Sequence, residues 1–341
     1  MHNQKHGVLL INLGSPANPS PQAVKAYLDQ FLMDPYVITL PYLLRCLLVK
    51  GIILNTRPKK SAANYQKIWT DQGSPLVAIT QTLTNAVQHQ VNVPVYMAMR
   101  YGEPSIQQSL TRLIEEDQCS HIHAIALYPQ YAESTTLTAK TEVERIIHTF
   151  YPTVHISFKA PFYNDPHYLE AMTESSKHYF DEPYDHVLFS FHGLPVQHLV
   201  KADPSHAHCL KQANCCDMPN IAHETCYRHQ SLATVKSLVA NLGIPPHKYS
   251  TAFQSRLGKA KWLEPYTSET IKQLANNGIK RLLVMCPAFV ADCLETIEEM
   301  GMQNRDIFIE HGGKELVLIP CLNDHPSWVK TITGWIQHIE K

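Results

Sequence analysis

A chain of 341 residues has room for about two domains of ordinary size and for a substantial core. Apolar residues make up 44% and charged residues 17%, which fits a soluble globular chain and excludes an intrinsically disordered one. Lys plus Arg is 29 and Asp plus Glu is 30, with no run of like charge, which excludes a nucleic-acid binder relying on clustered positive charge. With only 13 Gly and neither GxGxxG nor GxxxxGK[ST], a Gly-rich nucleotide cradle is excluded as well.

The N-terminus runs from Met1–Gly7 straight into Val8–Asn12. That apolar run is too short for a signal peptide and has no small-residue cleavage site, so a cytoplasmic location is expected, where thiols stay reduced. The nine cysteines then read as core residues, metal ligands or reactive thiols rather than a disulfide framework. Val8–Leu13 reads as a buried strand, followed by the turn Gly14-Ser-Pro16. Pro21–Phe31 has helical spacing, with Ser20 as N-cap and Pro21 at the first helical position. Pro35–Ile53 is apolar but broken by Arg45 and Lys50, too charged for a membrane span. Periodicity favours an ordinary buried helix there, and the alternative is an apolar lip for a flat greasy substrate or a membrane surface.

Further along, strands are expected at Val93–Met99, His123–Leu127 and Val154–Lys159, and helices at Ser105–Glu116 and Thr138–Phe150. The second half repeats this rhythm, with strands at His186–Phe191, Lys248–Gln254 and Arg281–Cys286. Helices are expected at Gln230–Leu242, Glu269–Asn276 and Cys293–Gln303. Short apolar strands alternating with helices give an α/β fold of parallel sheets flanked by helices. Two echoes suggest duplication. His6–Gly14 is similar to Asp185–Gly193, and Ile125–Pro129 with Thr138 nine residues later is similar to Leu283–Pro287 with Thr296 nine residues later. The expected organisation is two similar doubly wound domains with a boundary near Pro161.

In open α/β sheets, ligands bind beyond the carboxyl ends of the strands. His192 ends its strand and precedes Gly193, where an imidazole can accept a proton or bind a metal. The alternative is a core histidine bonded to a neighbouring carbonyl. Glu295 has a local explanation, because Asp292-Cys-Leu-Glu295 fits a capping box with Asp292 as N-cap. Glu298 and Glu299 then read as a solvated acidic face.

The chain resembles the ferrochelatase family, the last enzymes of haem synthesis, over essentially its whole length. The resemblance rests on Leu10–Pro16, Arg100-Tyr101, Tyr128–Tyr131 with Ser134–Thr136, and Ser190–Pro195. It continues through Phe253–Arg256, Trp262–Pro265 and Ala291–Thr296. It implies two Rossmann-like domains, 1–160 and 161–325, with an active-site cleft between them and the segment 326–341 returning to pack on the first. It implies insertion of Fe²⁺, a substrate, into protoporphyrin IX with release of two protons. His192 and Glu295 fall on the family's catalytic His and Glu, as candidates for proton transfer and for handling the metal, with Glu299 relaying protons along one helix face. Leu13, Arg57, Tyr65, Arg100 and Tyr101 fall on positions lining the porphyrin cleft, with Trp262 among the porphyrin-binding candidates. Segment 35–57 falls on the family's apolar lip. Arg57 and Arg100 are candidates for holding propionates. Since the porphyrin is poorly soluble, peripheral contact with the inner face of the membrane is expected. A chelatase for coproporphyrin or for cobalt in a corrin precursor, and a non-catalytic tetrapyrrole carrier, remain as alternatives.

Cys209, Cys215, Cys216 and Cys226 lie within 18 residues, close behind the His192 loop, and suggest a metal site. Their spacing matches neither a common ferredoxin pattern nor a CxxC zinc pair. The family resemblance implies a [2Fe–2S] cluster, since some members carry one on four cysteines; zinc and free thiols are the alternatives. Cys46, Cys119, Cys286, Cys293 and Cys321 read as packing residues.

Overall fold

A computed structural model describes residues 5–256, 258 and 260–339. Leu257 of the loop after Gln254 and the end of the 326–341 segment lie outside the described residues. The chain forms two compact units. The first runs to Tyr128, continues over Glu133–Ala160 and takes in the chain from Val329. The second comprises Pro129–Ala132 and Pro161–Trp328.

Each unit holds a four-stranded, all-parallel sheet of the same topology. In the first, β1 (His6–Gly14), β2 (Val95–Tyr101), β3 (His121–Ala126) and β4 (His155–Phe158) lie in the order β2-β1-β3-β4. In the second, β5 (His186–His192), β6 (Tyr249–Gln254), β7 (Arg281–Met285) and β8 (Glu315–Leu318) lie in the order β6-β5-β7-β8. The central strands are the continuous apolar runs, as burial on both faces demands. Val8, Leu9, Leu10 and Ile11 are at most 1% exposed, and Val187–Phe191 is wholly buried. Helices cover the sheets through separate cores, one around Leu110, Val143 and Ile146, the other around Ile271, Met300 and Phe308.

The two sequence echoes acquire a physical meaning here. They pair β1 with β5 and β3 with β7, strands holding the same places in the two sheets. Gly14 and Gly193 end the central strands where a neighbouring backbone crowds in. A Cβ at Gly14 would sit 1.7 Å from the Tyr101 carbonyl oxygen, and one at Gly193 would sit 2.8 Å from that of Gln254. Thr138 and Thr296 are both fully buried, and each donates its hydroxyl to a buried aspartate, Asp34 and Asp292 respectively.

Helix starts largely follow the sequence. Ser20 caps Pro21–Leu32 by accepting the Ala23 amide at 3.3 Å. Ser105 and Gln108 form a reciprocal capping box, but the expected helix winds wide into a π-helix over Arg112–Glu116. Helices Pro58–Ile68, Pro75–Gln88 and Pro166–Ser176 were not anticipated, although each begins with Pro at its first position. Strand β8 was also missed.

The reading of Pro35–Ile53 as an ordinary buried helix is corrected. It breaks into a short α-helix, Tyr42–Cys46, and a π-helix, Leu47–Ile53, with the usual polarity inverted. Leu43 and Leu47 are 74% and 68% exposed, and Leu40, Tyr42, Leu44 and Ile52 are exposed too. The charge points inward instead: Arg45 is buried and donates to the carbonyls of Ile38 and Leu40 at 3.2 and 2.9 Å. Among the described residues, no helix is long and apolar enough to cross a membrane.

At the opposite end of the first sheet four histidines gather. His6, His121 and His155 are register partners across β1, β3 and β4. His6 Nδ1 lies 2.9 Å from His123 Nε2, and His123 Nδ1 meets the Ser157 hydroxyl. Burial, then the neighbouring His6 and His121, lower the His123 pKa from 6.5 to about 4. Burial and the adjacent imidazoles lower that of His121 too. The folded state therefore resists protons that the unfolded chain accepts, so stability is lost as pH falls from 6.5 towards 4. Urea midpoints measured from pH 7 to pH 4 are expected to drop over that window, and to drop less in His123→Gln.

Candidate active site

The carboxyl ends of β5, β6 and β7 carry the candidate chemistry, and β5 and β7 flank the place where chain connections diverge to either side of the sheet. His192 is the last residue of β5 and is partly exposed. Its Nδ1 lies 2.7 Å from the Gly193 carbonyl oxygen, so the neutral ring donates there and leaves the Nε2 lone pair for a proton or a metal. The carbonyl-bonded histidine and the reactive one are thus the same arrangement. Trp262 packs beside this turn: its Cε3 would be 3.3 Å from a Cβ at Gly193, and its backbone bridges Pro195.

Glu295 opens a ten-residue π-helix, Glu295–Asn304. The expected capping box does not form. The Asp292 amide donates to Asn323 Oδ1 at 2.8 Å, and the Asp292 carboxylate accepts from Thr296 Oγ1 and Asn323 Nδ2. Local capping therefore does not account for Glu295, whose carboxylate instead meets the buried thiol of Cys293. The solvated acidic face is also corrected. Glu298 is only 1% exposed and accepts from Gln303 Nε2 at 2.6 Å. Glu299 is largely buried, and its carboxylate accepts the Ser255 amide at 2.9 Å and the Ser255 hydroxyl. The i→i+5 winding of a π-helix widens each turn, so residues four and five apart share a face and Glu299 follows Glu295. Burial raises the Glu299 pKa; Ser255 and nearby His192 pull it down, and Glu295 pushes it up. His192, Glu295 and Glu299 are therefore electrostatic neighbours.

Two residues absent from the sequence-level candidates hold this group together. Gln254 faces His192 in register and accepts the Gly193 amide at 2.8 Å through its backbone carbonyl. Its side-chain Nε2 donates to the Glu295 carbonyl at 2.9 Å, and its Oε1 accepts the Ser190 hydroxyl at 2.6 Å. Ser255 adopts φ +66°, a left-handed conformation costing a non-glycine residue about 1–3 kcal/mol, and so turns both its donors on Glu299. The available signal was positional, since Gln254 ends β6 and Ser255 follows it directly.

The remaining candidates fall in the first unit. Leu13 is partly buried at the tip of β1, and Tyr65 is buried with its ring edge-on to Trp69. Arg57 is exposed at the end of the Leu54–Thr56 turn. Arg100 and Tyr101, expected at the porphyrin cleft, take part in a hydrogen-bond network around Asp34. Arg100 Nη2 and the Tyr101 hydroxyl bond one oxygen of buried Asp34 at 2.7 and 2.8 Å, and Arg100 Nε bonds Thr138 Oγ1 at 2.8 Å. The same Asp34 oxygen takes the Thr138 hydroxyl, and its other oxygen takes the Tyr36 amide. Asp34 is the root of the apolar segment, so this network anchors it.

The four cysteines of the insertion are buried at 3–8% exposure. Their sulfurs form a chain of contacts, Cys209 and Cys216 each meeting Cys226, and Cys215 meeting Cys216. Arg228 Nη1 lies 3.4 Å from Cys216 Sγ, and the His229 amide lies 3.4 Å from Cys226 Sγ. Among the described residues, no group of three or more His, Cys, Asp or Glu closes on a single metal ion. Burial pushes the thiol of Cys119 up to about 11 and those of Cys286, Cys293 and Cys321 well up, so they pack as neutral thiols.

A carboxyl whose pKa is raised by folding weakens the fold at every pH above its unfolded value. Glu299→Gln is therefore expected to raise the melting temperature at pH 7 and to leave it nearly unchanged near pH 4, read by calorimetry at both pH values.

Comparison with known proteins adds three findings. The family model described as ferrochelatase matches residues 5–339. The ferrochelatase of Pseudomonas savastanoi pv. phaseolicola is 50% identical over 328 residues, 96% of each chain, and that of Pseudomonas entomophila is 49% identical over 335 residues, 98% of this chain and 99% of the other. The solved structure of SirB from Bacillus subtilis with Fe³⁺ superposes with a TM-score of 0.52 at 13% identity, covering 98% of this chain and 95% of that one, a likeness of fold. Half of the residues are shared along almost the full length of both chains, and this chain belongs to the ferrochelatase family.

Proposed function

We propose that the protein inserts Fe²⁺ into protoporphyrin IX to form haem, with His192, Glu295 and Glu299 handling the protons. Family membership supports the reaction. The single observation that supports the residue roles is the grouping of a free imidazole Nε2 with two carboxylates, one of them raised in pKa, at the end of one sheet.

Protoporphyrin presents two inner N–H groups, and both protons must leave before four nitrogens can bind the metal. His192 Nε2 takes a proton from a pyrrole nitrogen, whose freed lone pair bonds Fe²⁺. The Gly193 carbonyl, accepting from Nδ1–H, steadies the imidazolium that results. Glu295 receives the metal or the second proton, and Glu299 carries protons onward along the π-helix. Its raised pKa suits that task, since a carboxyl nearer neutrality gives and takes protons readily. The pair Ser255–Glu299 keeps the relay oriented.

In the first unit, exposed Leu43, Leu44 and Leu47 support a surface for an apolar macrocycle or for the bilayer it comes from. Exposed Arg57, Lys59 and Lys60 follow directly and favour propionates or anionic headgroups. A cytoplasmic protein resting on the inner face of the membrane through this segment fits both features.

The four cysteines fit a [2Fe–2S] cluster. The donor set is four buried thiols in mutual contact, with a guanidinium and a backbone amide aimed at the sulfurs, as thiolates bound to iron require. Cys209, Cys215, Cys216 and Cys226 would hold it, and it would supply a one-electron redox centre.

Anaerobic assay of the pure protein with Fe²⁺ and each of protoporphyrin and coproporphyrin is expected to give turnover with protoporphyrin. His192→Ala is expected to lower kcat by at least about 100-fold while porphyrin still quenches protein fluorescence with near-native affinity. Turnover at a wild-type rate would remove His192 from the reaction, and turnover with coproporphyrin alone would change the substrate. For the cysteines, protein purified without oxygen is expected to be coloured and to hold two iron and two labile sulfide per chain; a colourless preparation counts against the cluster.

A further inference from the structure

The cysteine insertion is physically continuous with a segment of the family motif that has no role so far. Pro129–Ala132 follows β3 in sequence, yet it packs with the second unit while its flanks belong to the first. Its main anchor is Gln230, on the helix Tyr227–Leu242 that starts directly after Cys226. Gln230 is 1% exposed and uses its whole side-chain amide. Its Oε1 accepts the Tyr131 amide at 2.7 Å. Its Nε2 donates to the carbonyls of His223 and Glu224 at 3.1 and 2.9 Å. Gln130 adds a bond to Thr234, one turn along the same helix, at 3.1 Å.

The other side of that turn grips the thiol corner. His223 Nε2 lies 3.0 Å from the Cys215 carbonyl oxygen, and His229 Nδ1 lies 2.8 Å from that of Cys216. The two imidazoles stack with centroids 3.6 Å apart. Cys226 caps the helix through its sulfur, which accepts the His229 amide. Three hydrogen bonds thus run in series from Cys215 through His223 and Gln230 to Tyr131.

We propose that Gln230 is a positioning residue that couples the four-cysteine site to Pro129–Ala132, so that the state of the thiols sets how firmly this segment is held. The idea rests on the reading of these cysteines as a site, but the coupling itself is carried by the hydrogen bonds just described. Disturbing the Cys215–Cys216 corner shifts the carbonyls that His223 and His229 grip. The turn at His223–Glu224 then loosens around the Gln230 amide, and the Tyr131 amide loses its acceptor. A partly buried amide bonded at 2.7 Å exchanges its hydrogen slowly, and release of its partner lets it exchange by local opening.

The test is amide hydrogen exchange at Tyr131, read by NMR or by mass spectrometry of a peptide spanning 128–134. Protein purified anaerobically is compared with the same protein after the insertion has been emptied with ferricyanide and EDTA and its thiols re-reduced. Exchange at Tyr131 is expected to quicken at least about tenfold on emptying, while amides of β1 stay unchanged. In Gln230→Leu exchange is expected to be fast in both states. Gln230→Glu, which keeps the shape but turns an acceptor on two carbonyls, serves if the leucine variant does not fold. Equal, slow exchange before and after emptying overturns the coupling. Cys216→Ser separates the two ideas, because it alters the corner whether or not anything is bound there. A colourless wild type with quickened Tyr131 exchange in Cys216→Ser sinks the cluster and keeps the coupling. A coloured wild type with unchanged exchange in Cys216→Ser keeps the cluster and sinks the coupling.

Discussion

Gln254 is the residue on which the geometry of the second unit turns. Its backbone carbonyl ties down the turn behind His192, and its side-chain amide ties down the first residue of the π-helix bearing Glu295 and Glu299. It is 3% exposed, so each of these bonds forms away from competing water. The close approach that makes this possible needs glycine at 193, since a Cβ there would run into the same carbonyl. The histidine at the end of β5 is held in place because its own turn and the facing strand are locked together in this way.

The duplicated architecture makes the contrast between the two units informative. In the sequence echo Leu13 corresponds to His192, and each precedes a glycine crowded by the neighbouring strand. The first unit still carries a buried carboxylate near its strand ends, but Asp34 takes a guanidinium and three further donors and so serves as a fully paired anchor. Glu299 has only the uncharged donors of Ser255, and burial therefore dominates and lifts its pKa. One scaffold thus holds a cation-bonded acid in one half and an acid bonded only by uncharged donors in the other.

Much of the fold was legible because its signals are local. Continuous apolar runs marked seven of the eight strands, and the short, half-exposed Glu315–Leu318 escaped because its burial pattern is weak. Pro-initiated helices such as Pro75–Gln88 were overlooked although the helix-start signal was present. The place of His192 at a strand end was legible from position, while the candidacy of Glu295 came from the family resemblance. The bond of Arg100 to Asp34 was not legible, because the two are 66 residues apart and no local pattern announces a long-range ion pair. Glu298 and Glu299 were misjudged for another reason: helical periodicity assumes 3.6 residues per turn, and a π-helix turns different residues inward.

A π-helix recurs in the apolar segment at Leu47–Ile53, and in the α-helix before it Arg45 finds carbonyl acceptors inside, while Val49 and Leu54 fill a small core with Leu32. Six large apolar side chains left in water carry a free-energy cost of roughly 25 cal/mol for every Å² that burial would otherwise remove. On the proposed function, a flat apolar ligand or lipid covering this surface would recover that cost. Asp34 sits at the base of this segment and fixes it to the end of β2 through Arg100 and Tyr101 and to the start of the helix Thr138–Phe150 through Thr138. The exposed face is therefore a held surface and not a frayed loop, and its rigidity limits the entropy lost when it is covered.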